Sequence, residues 1–278
     1  MPLDHGSIGV ESPPHERSWT AKDTMLYALG VGAGAREPAF CTERHQRVLP
    51  TFAVLAAQTP GGRRIGDFDP AMLVHAEQAF ELHRELPPAG RVRTTSKVTG
   101  IYDKGSGALV TSESLAVDPD TGEPVITSRS AVFIRGEGGF GGDRGPRDDW
   151  AAPERAPDHK VTYPTGPDQA LIYRLSGDYN PLHSDPEFAA RAGFDRPILH
   201  GLCTYGVTGR ALLHAVAESD PARFAAMSGR FTSPVFPGES LTVSIWVDGS
   251  AVLFRTAKDD GTVVIDRGRA TISPRPAP

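Results

Sequence analysis

Asp178, Asn180 and His183 fall within six consecutive residues of the stretch LSGDYNPLHSDPEFAARAGFDRPILHG, which runs from Leu175 to Gly201. A carboxylate and an imidazole on one turn are the side-chain types that take up and return protons near neutral pH. Together they suit the addition of water to a polarised carbon–carbon double bond. That reaction needs a base to take a proton from water, an acid to protonate the carbon beside a carbonyl, and donors for the oxygen that gathers negative charge. Asn180-Pro181 is a turn signal that forbids a regular helix at this point, so the three polar groups share a tight loop. The Asn180 amide can donate to or accept from the water or the carboxylate and fix its orientation. The spacing leaves open which of Asp178 and His183 delivers each proton. The plain alternative is a polar turn before a helix, with no chemistry.

Such a loop needs a frame. ILHGLCTYGVTGRALLHAVAE (Ile198 to Glu218) reads as a long helix, with Gly201 at its start, where unpaired N–H groups and the positive dipole end favour developing negative charge. GRFTSPVF, SLTVSIWV, AVLFRTAK and TVVIDRGRATI then follow as strands. The first half has the same order. AMLVHAEQAFELHREL (Ala71 to Leu86) places Met72, Leu73, Ala76, Ala79 and Phe80 at helical spacing and stops at Pro87-Pro88. The strand-like runs RVRTTSKVTGIY, ALVTSESLAV and PVITSRSAVFIR come next, parted by the turn signals DKGSG and DPDTGEP.

The chain therefore reads as a duplicated unit of one long helix on one antiparallel sheet, an α+β arrangement in which two copies can share an edge. Upstream of each helix a short segment also matches: Leu26 to Gly32 lies beside Ile172 to Asp178, pairing Tyr27 with Tyr173 and Gly32 with Asp178. The residues that follow Gly32, Ala33 to Glu37, include no asparagine or histidine, and the nearest carboxylate, Glu37, has no imidazole at catalytic spacing. His75 opens the first predicted helix as His200 opens the second.

The wider composition narrows the classes. A net charge of -5 leaves no broad basic surface for a phosphate backbone, so nucleic acid is not an expected partner. Cys41 and Cys203 are too few for a disulfide framework and lack C-x-x-C spacing. The N-terminal MPLDHGSIGVESPPHERSW has no apolar core of a leader, and no apolar run approaches a membrane span. A soluble cytoplasmic protein, without a membrane partner, is expected.

The Leu175–Gly201 segment resembles the signature of the MaoC-like, hydratase 2 family of (R)-specific trans-2-enoyl-CoA hydratases. The resemblance extends to AGFDRPILHGLCTYG, RFTSPVFPGESL, HAEQAFELHRELPPAGRV, DKGSGALV and GEGGFGG, from about Tyr27 to Ile272. It implies a double hot-dog fold, two antiparallel sheets each wrapped around a long helix. Asp178 and His183 become the catalytic pair, Asn180 their support, and the Gly201 N–H the donor to the thioester oxygen. His75, Ala76, Lys104 in DKGSG and Phe231 become contacts to coenzyme A or the acyl group. Lys104 suits a phosphate chemically. Where the family usually reads HGEQ this chain reads HAEQ, so backbone access at Ala76 is expected to be narrower. The resemblance further suggests a homodimer, and coenzyme A as part of the substrate with no separate cofactor.

On this reading residues 1–138 form a non-catalytic hot dog, 139–158 a linker and 159–278 the catalytic one. Three other motifs are set aside. Gly136 to Gly141 satisfies G-x-G-x-x-G but runs into a Pro-rich stretch instead of a helix. His75-Ala76-Glu77 lacks the P-C-x-x-C partner of the zinc deaminases, and no metal is expected. Cys203 reads as a small core residue before it reads as a nucleophile. The rival functions are a (3R)-hydroxyacyl thioester dehydratase, the same chemistry reversed, a hot-dog thioesterase, and a silent acyl-CoA-binding protein.

Overall fold

The computed structural model describes residues 3–59, 65–69 and 72–273. Its frame is one ten-stranded antiparallel sheet in the order β1-β3-β4-β5-β2-β7-β10-β9-β8-β6. The first five strands are β1 (His15–Trp19), β2 (Leu73–Leu82), β3 (Gly90–Asp103), β4 (Gly107–Val117) and β5 (Pro124–Arg135). The second five are β6 (His159–Pro164), β7 (Phe224–Phe231), β8 (Ser240–Asp248), β9 (Ala251–Lys258) and β10 (Val263–Ile272). The two sets run in the same internal order, so the duplicated reading appears as a near-twofold arrangement about the β2–β7 seam. There Glu77 pairs with Arg230 and Glu81 with Ala226, joining the halves into one sheet.

The expected first helix is a strand. Ala71 lies outside the described residues, and Leu73–Leu82 is β2, hydrogen-bonded to β5 on one side and β7 on the other. Backbone pairing on both edges outweighs the local helical spacing. Phe80 is buried on this strand, stacked on Phe224 with ring centres 6.0 Å apart. The strand stops at Leu82, five residues before Pro87-Pro88.

One long helix serves both halves. α1 (Ala21–Gly30), α2 (Pro38–Cys41) and α3 (Ala53–Ala56) belong to the first half; α4 (Gln169–Tyr173), α5 (Pro186–Arg191) and α6 (Gly201–Val216) belong to the second. Every residue of α6 from Cys203 to Leu213 is buried, as expected of a helix enclosed on all sides. Gly206 lets the first half approach: a Cβ there would overlap Val31 and the Tyr27 hydroxyl. In place of a second long helix, α1 and the apolar run Val48–Ala57 fill the core over the first half of the sheet.

The matched tyrosines meet. Tyr27 and Tyr173 are fully buried with ring centres 6.1 Å apart, and Gln169 donates to the carbonyls of Leu29 and Gly30 across the same contact. The glycine-rich run after β5 has a structural use: Gly139 and Gly141 donate their N–H groups to the Asp103 carboxylate at 2.8 and 2.7 Å. Cys203 is buried beside the Gly30 carbonyl, and burial raises its thiol pKa.

Candidate active site

The loop that carries Asp178 follows α4 through a single 3-10 turn at Arg174–Ser176, which ends on Gly177 with φ 119°. That left-handed value suits glycine and swings the chain so that Asp178 faces the start of α6. The Asp178 carboxylate accepts the Asn180 N–H at 3.2 Å, and the Asn180 side-chain oxygen accepts the Leu182 N–H at 3.0 Å. Asn180 therefore caps the 3-10 turn Pro181–His183. It orients His183 through the backbone, while its side-chain oxygen is committed to the cap.

His183 is buried, and its Nδ1 lies 2.9 Å from the Ile198 carbonyl. A carbonyl only accepts, so Nδ1 carries the proton and Nε2 keeps its lone pair. Burial pushes the His183 pKa below the ordinary imidazole value, against the opposing pull of the Ile198 bond and the Asp178 charge. His200, the residue before α6, is almost fully buried and stacks on His183 with ring centres 3.8 Å apart and planes at 28°. Its Nε2 donates to the Asp178 backbone carbonyl at 3.2 Å, and its Nδ1 is buried without a partner. Burial first, and the His183 imidazole second, bring the His200 pKa down to about 4.

A carboxylate oxygen of Asp178 and one ring nitrogen each from His183 and His200 lie within 4.8 Å of one another. This grouping has the donor types of a metal site. The same spacing fits a water molecule. Two acceptors or donors each about 2.8 Å from a shared oxygen are separated by up to roughly 5.5 Å.

Beside this pair, the helix ladder of α6 begins with the Cys203 and Thr204 N–H groups, both accepted by the His200 carbonyl. The N–H groups of Gly201 and Leu202 precede the ladder and stand at the positive end of a sixteen-residue helix. The opposite wall comes from the first half of the chain. His75 on β2 packs against Phe231 on β7 at 5.0 Å between ring centres, and a Cβ on Gly201 would touch that same Phe231 ring at 3.4 Å. His75 donates to the Glu77 carbonyl, and burial lowers its pKa to about 4. Ala76 is the extra residue of a β-bulge between His75 and Glu77. The non-glycine residues with positive φ do not include it, so alanine fits the bulge without backbone strain.

The fold thus brings Asp178, Asn180, His183, Gly201, His75, Ala76 and Phe231 around one place at the seam between the halves. Lys104 stands apart, in the β3–β4 turn, where its ammonium donates to the Arg144 carbonyl beside the Tyr102 ring. Sequence reasoning missed His200 as a packing partner of His183. Its place before Gly201 was visible, but the ring stack depends on Ile198–His200 running beside the Asp178 loop. Tyr173 closes the cluster from behind, 4.9 Å from the His200 ring.

A duplicated antiparallel sheet joined edge to edge over one long buried helix, with a carboxylate–imidazole pair at the seam, defines a MaoC-like double hot-dog protein. Residues 149–268 match the MaoC like domain, and residues 18–136 match the MFE-2 hydratase 2 N-terminal domain. The chain is 47% identical to 3-hydroxyacyl-thioester dehydratase Y of Mycobacterium tuberculosis, over 96% of this chain and 98% of that protein. It is 46% identical to enoyl-CoA hydratase ChsH3 of the same organism, over 90% and 91% of the two chains. A solved MaoC-like dehydratase from Phytophthora capsici superimposes with a TM-score of 0.87 at 33% identity, covering 98% and 99% of the two chains. The chain belongs to the MaoC-like hydratase 2 family.

Proposed function

We propose that this protein is a lyase that hydrates trans-2-enoyl-CoA to (3R)-3-hydroxyacyl-CoA, with the family membership above as its broad support. The observation that carries the reading is the convergence of the Asp178 carboxylate and the neutral His183 ring beside the unladdered Gly201 N–H. The thioester oxygen accepts from Gly201, which polarises the double bond and stabilises the enolate as it forms. A water held between Asp178 and His183 gives up one proton to this pair, and its oxygen bonds to the β-carbon. The pair then returns a proton to the α-carbon, so that the elements of one water are added and no cofactor or metal is consumed.

Asn180 holds the turn in register. His75, Ala76 and Phe231 form the wall against which the pantetheine or acyl portion lies, and Lys104 serves a phosphate group at the outer end. The first half of the chain binds without catalysing. We assign the protein to the cytoplasm as a homodimer; no helix among the described residues is long and apolar enough to cross a membrane.

Because the pinned substrate shows one face to the held water, one enantiomer forms. A panel of trans-2-enoyl-CoA chain lengths, followed by loss of enoyl absorbance and coupled to a (3S)-hydroxyacyl-CoA dehydrogenase, tests both points. Hydration with almost no reduced nicotinamide supports the proposal; vigorous reduction refutes the stereochemistry, and no hydration refutes the activity. The dehydratase reading draws support from the name of the 47% identical relative. Enoyl-carrier-protein thioesters in the same panel distinguish it by turning over faster than the CoA forms.

A further inference from the structure

A second polar cluster lies toward the other end of α6, nine to thirteen residues from Gly201 along the helix, or roughly 14 to 20 Å at 1.5 Å per residue. Glu37, which stands five residues after Gly32 as His183 stands five after Asp178, meets α6 here. Sequence spacing gave it no imidazole. The fold supplies His214, whose Nε2 lies 2.6 Å from Glu37 Oε1, and the other nitrogen of that ring, Nδ1, lies 2.7 Å from the Ser219 hydroxyl. Serine, histidine and glutamate therefore form one continuous hydrogen-bonded line.

The line is well fixed at its acidic end. Arg210, buried and lying over the Tyr163 ring at 3.9 Å, donates from Nε to the same Glu37 oxygen at 2.8 Å and from Nη1 to the Val31 carbonyl. Burial works against the charge on Glu37, but the bond from His214 and the Arg210 charge outweigh it and hold the pKa below the usual carboxylate range. An ionised Glu37 only accepts, so His214 carries its proton on Nε2 and presents a lone pair at Nδ1 to the Ser219 hydroxyl.

Two further features converge on Ser219. Glu218 and Ser219 both adopt left-handed backbone, with φ of 56° and 64°, although neither is glycine. Side chains disfavour that region of backbone space, and residues held there collect at reactive sites. The serine also opens on a cavity of about 610 Å³ lined by Arg36, Glu37, Tyr163, Arg210, His214 and Ser219. Arg36 is exposed on that wall and can meet a developing oxyanion.

We propose that Ser219 is an activated nucleophile and that this cavity is a second reactive site, taking small acyl esters or thioesters. Ser219 Oγ bonds to the acyl carbon as its proton passes to His214 Nδ1. The carbon–oxygen or carbon–sulfur bond of the leaving group breaks, and the alcohol or thiol leaves with that proton. Water, deprotonated by the same imidazole, then releases the carboxylic acid and restores the serine. The site owes nothing to Asp178 or His183, so its success or failure is independent of the hydration chemistry.

The test is labelling of the full-length protein with a fluorophosphonate, from which a serine oxygen displaces fluoride. One adduct on the Ser219 peptide by tandem mass spectrometry is expected. Ser219→Ala should lose the adduct while keeping enoyl-CoA hydration, and His214→Gln should slow labelling by on the order of 10²-fold or more. Slow hydrolysis of p-nitrophenyl acetate should disappear with Ser219→Ala. Labelling of Ser219 no faster than that of other exposed serines, or labelling unaffected by His214→Gln in a variant that still hydrates enoyl-CoA, would show that Ser219 is only a helix-end contact and overturn the proposal.

Discussion

The rings of His183 and His200 stack at 3.8 Å, and each ring spends one nitrogen on a backbone carbonyl, Ile198 for the first and Asp178 for the second. The stack fixes the plane of His183, and the two bonds tie it to the loop that carries the carboxylate. Protonation of His183 is costly because burial withholds water from the cation. His183 accordingly stays neutral further into acid than a free imidazole. The acid limb of kcat/KM for enoyl-CoA hydration should therefore have its midpoint below about 6.5, the ordinary histidine value. A midpoint above that value would contradict the assignment.

The proton-transfer pair itself is tested by isosteric change. Asp178→Asn keeps an acceptor for the Asn180 N–H, and His183→Gln keeps a donor for the Ile198 carbonyl, so both variants should fold with unchanged circular dichroism. Each should lose turnover by on the order of 10² to 10⁴, the usual scale for a positioned proton-transfer group. Near-normal turnover in either folded variant would remove that residue from the mechanism.

Stability should also carry the mark of imidazoles that stay neutral in the fold. His75 and His200 have folded pKa values of about 4, below the unfolded value near 6.5. Between these values the unfolded chain binds protons that the folded chain does not, so stability falls as pH drops from about 6.5 to 4 and flattens below. Above pH 6.5 these two groups add no slope. Each contributes at most about 1.4 kcal/mol per pH unit. Urea denaturation over that range should show the slope, and His200→Asn should reduce it by about one proton's worth. An unchanged slope in His200→Asn would mean that this ring titrates normally in the folded state.

Much of this was legible in the sequence where one local signal sufficed. The runs PVITSRSAVFIR and AVLFRTAK are β5 and β9 to the residue, because each is bounded by turn residues and rich in side chains that suit a half-buried strand. The loop from Asp178 to His183 was legible as a polar cluster because its residues are neighbours in the chain. β2 was not, because what decides it is long-range: Gln78 pairs with Ser130 and Gly229 on opposite sides, partners that no window around residue 78 contains. His214 escaped as a partner for Glu37 for the same reason, 177 positions away.

The seam strand gives a direct stability test. Phe80 is buried between Phe224 and Tyr205, so it ties the sheet seam to α6. Phe80→Ala should cost about 3 to 5 kcal/mol by removing a buried aromatic and leaving a void. A loss well under 1 kcal/mol, the scale of an exposed surface change, would contradict the burial of Phe80 at the seam. Equilibrium urea unfolding of the wild-type and variant proteins measures that difference.

The duplication raises the question of how many active sites a chain carries, and the residues at the two matched positions lead to a testable expectation. In the second half Asp178 faces His183 and the free N–H groups of α6; in the first half Gly32 stands where the carboxylate would be. A Cβ on Gly32 would press against Arg210 Nη1 at 3.0 Å, and its φ of 80° disfavours any side chain, so a carboxylate could not be restored there without moving the arginine. Glu37 is already bound to Arg210 and His214. The first half also has no long helix of its own to present unladdered N–H groups to a thioester oxygen; among its described residues the longest is α1, which ends at Gly30. Titration calorimetry with an unreactive enoyl-CoA analogue should therefore give one ligand per chain, as expected of a protein with few preformed sites. Asp178→Asn should lower turnover by the same order of 10² to 10⁴ while leaving that stoichiometry intact. Two equivalent sites per chain, or half the turnover surviving Asp178→Asn, would place catalysis in the first half as well and overturn the pairing of Gly32 with Asp178.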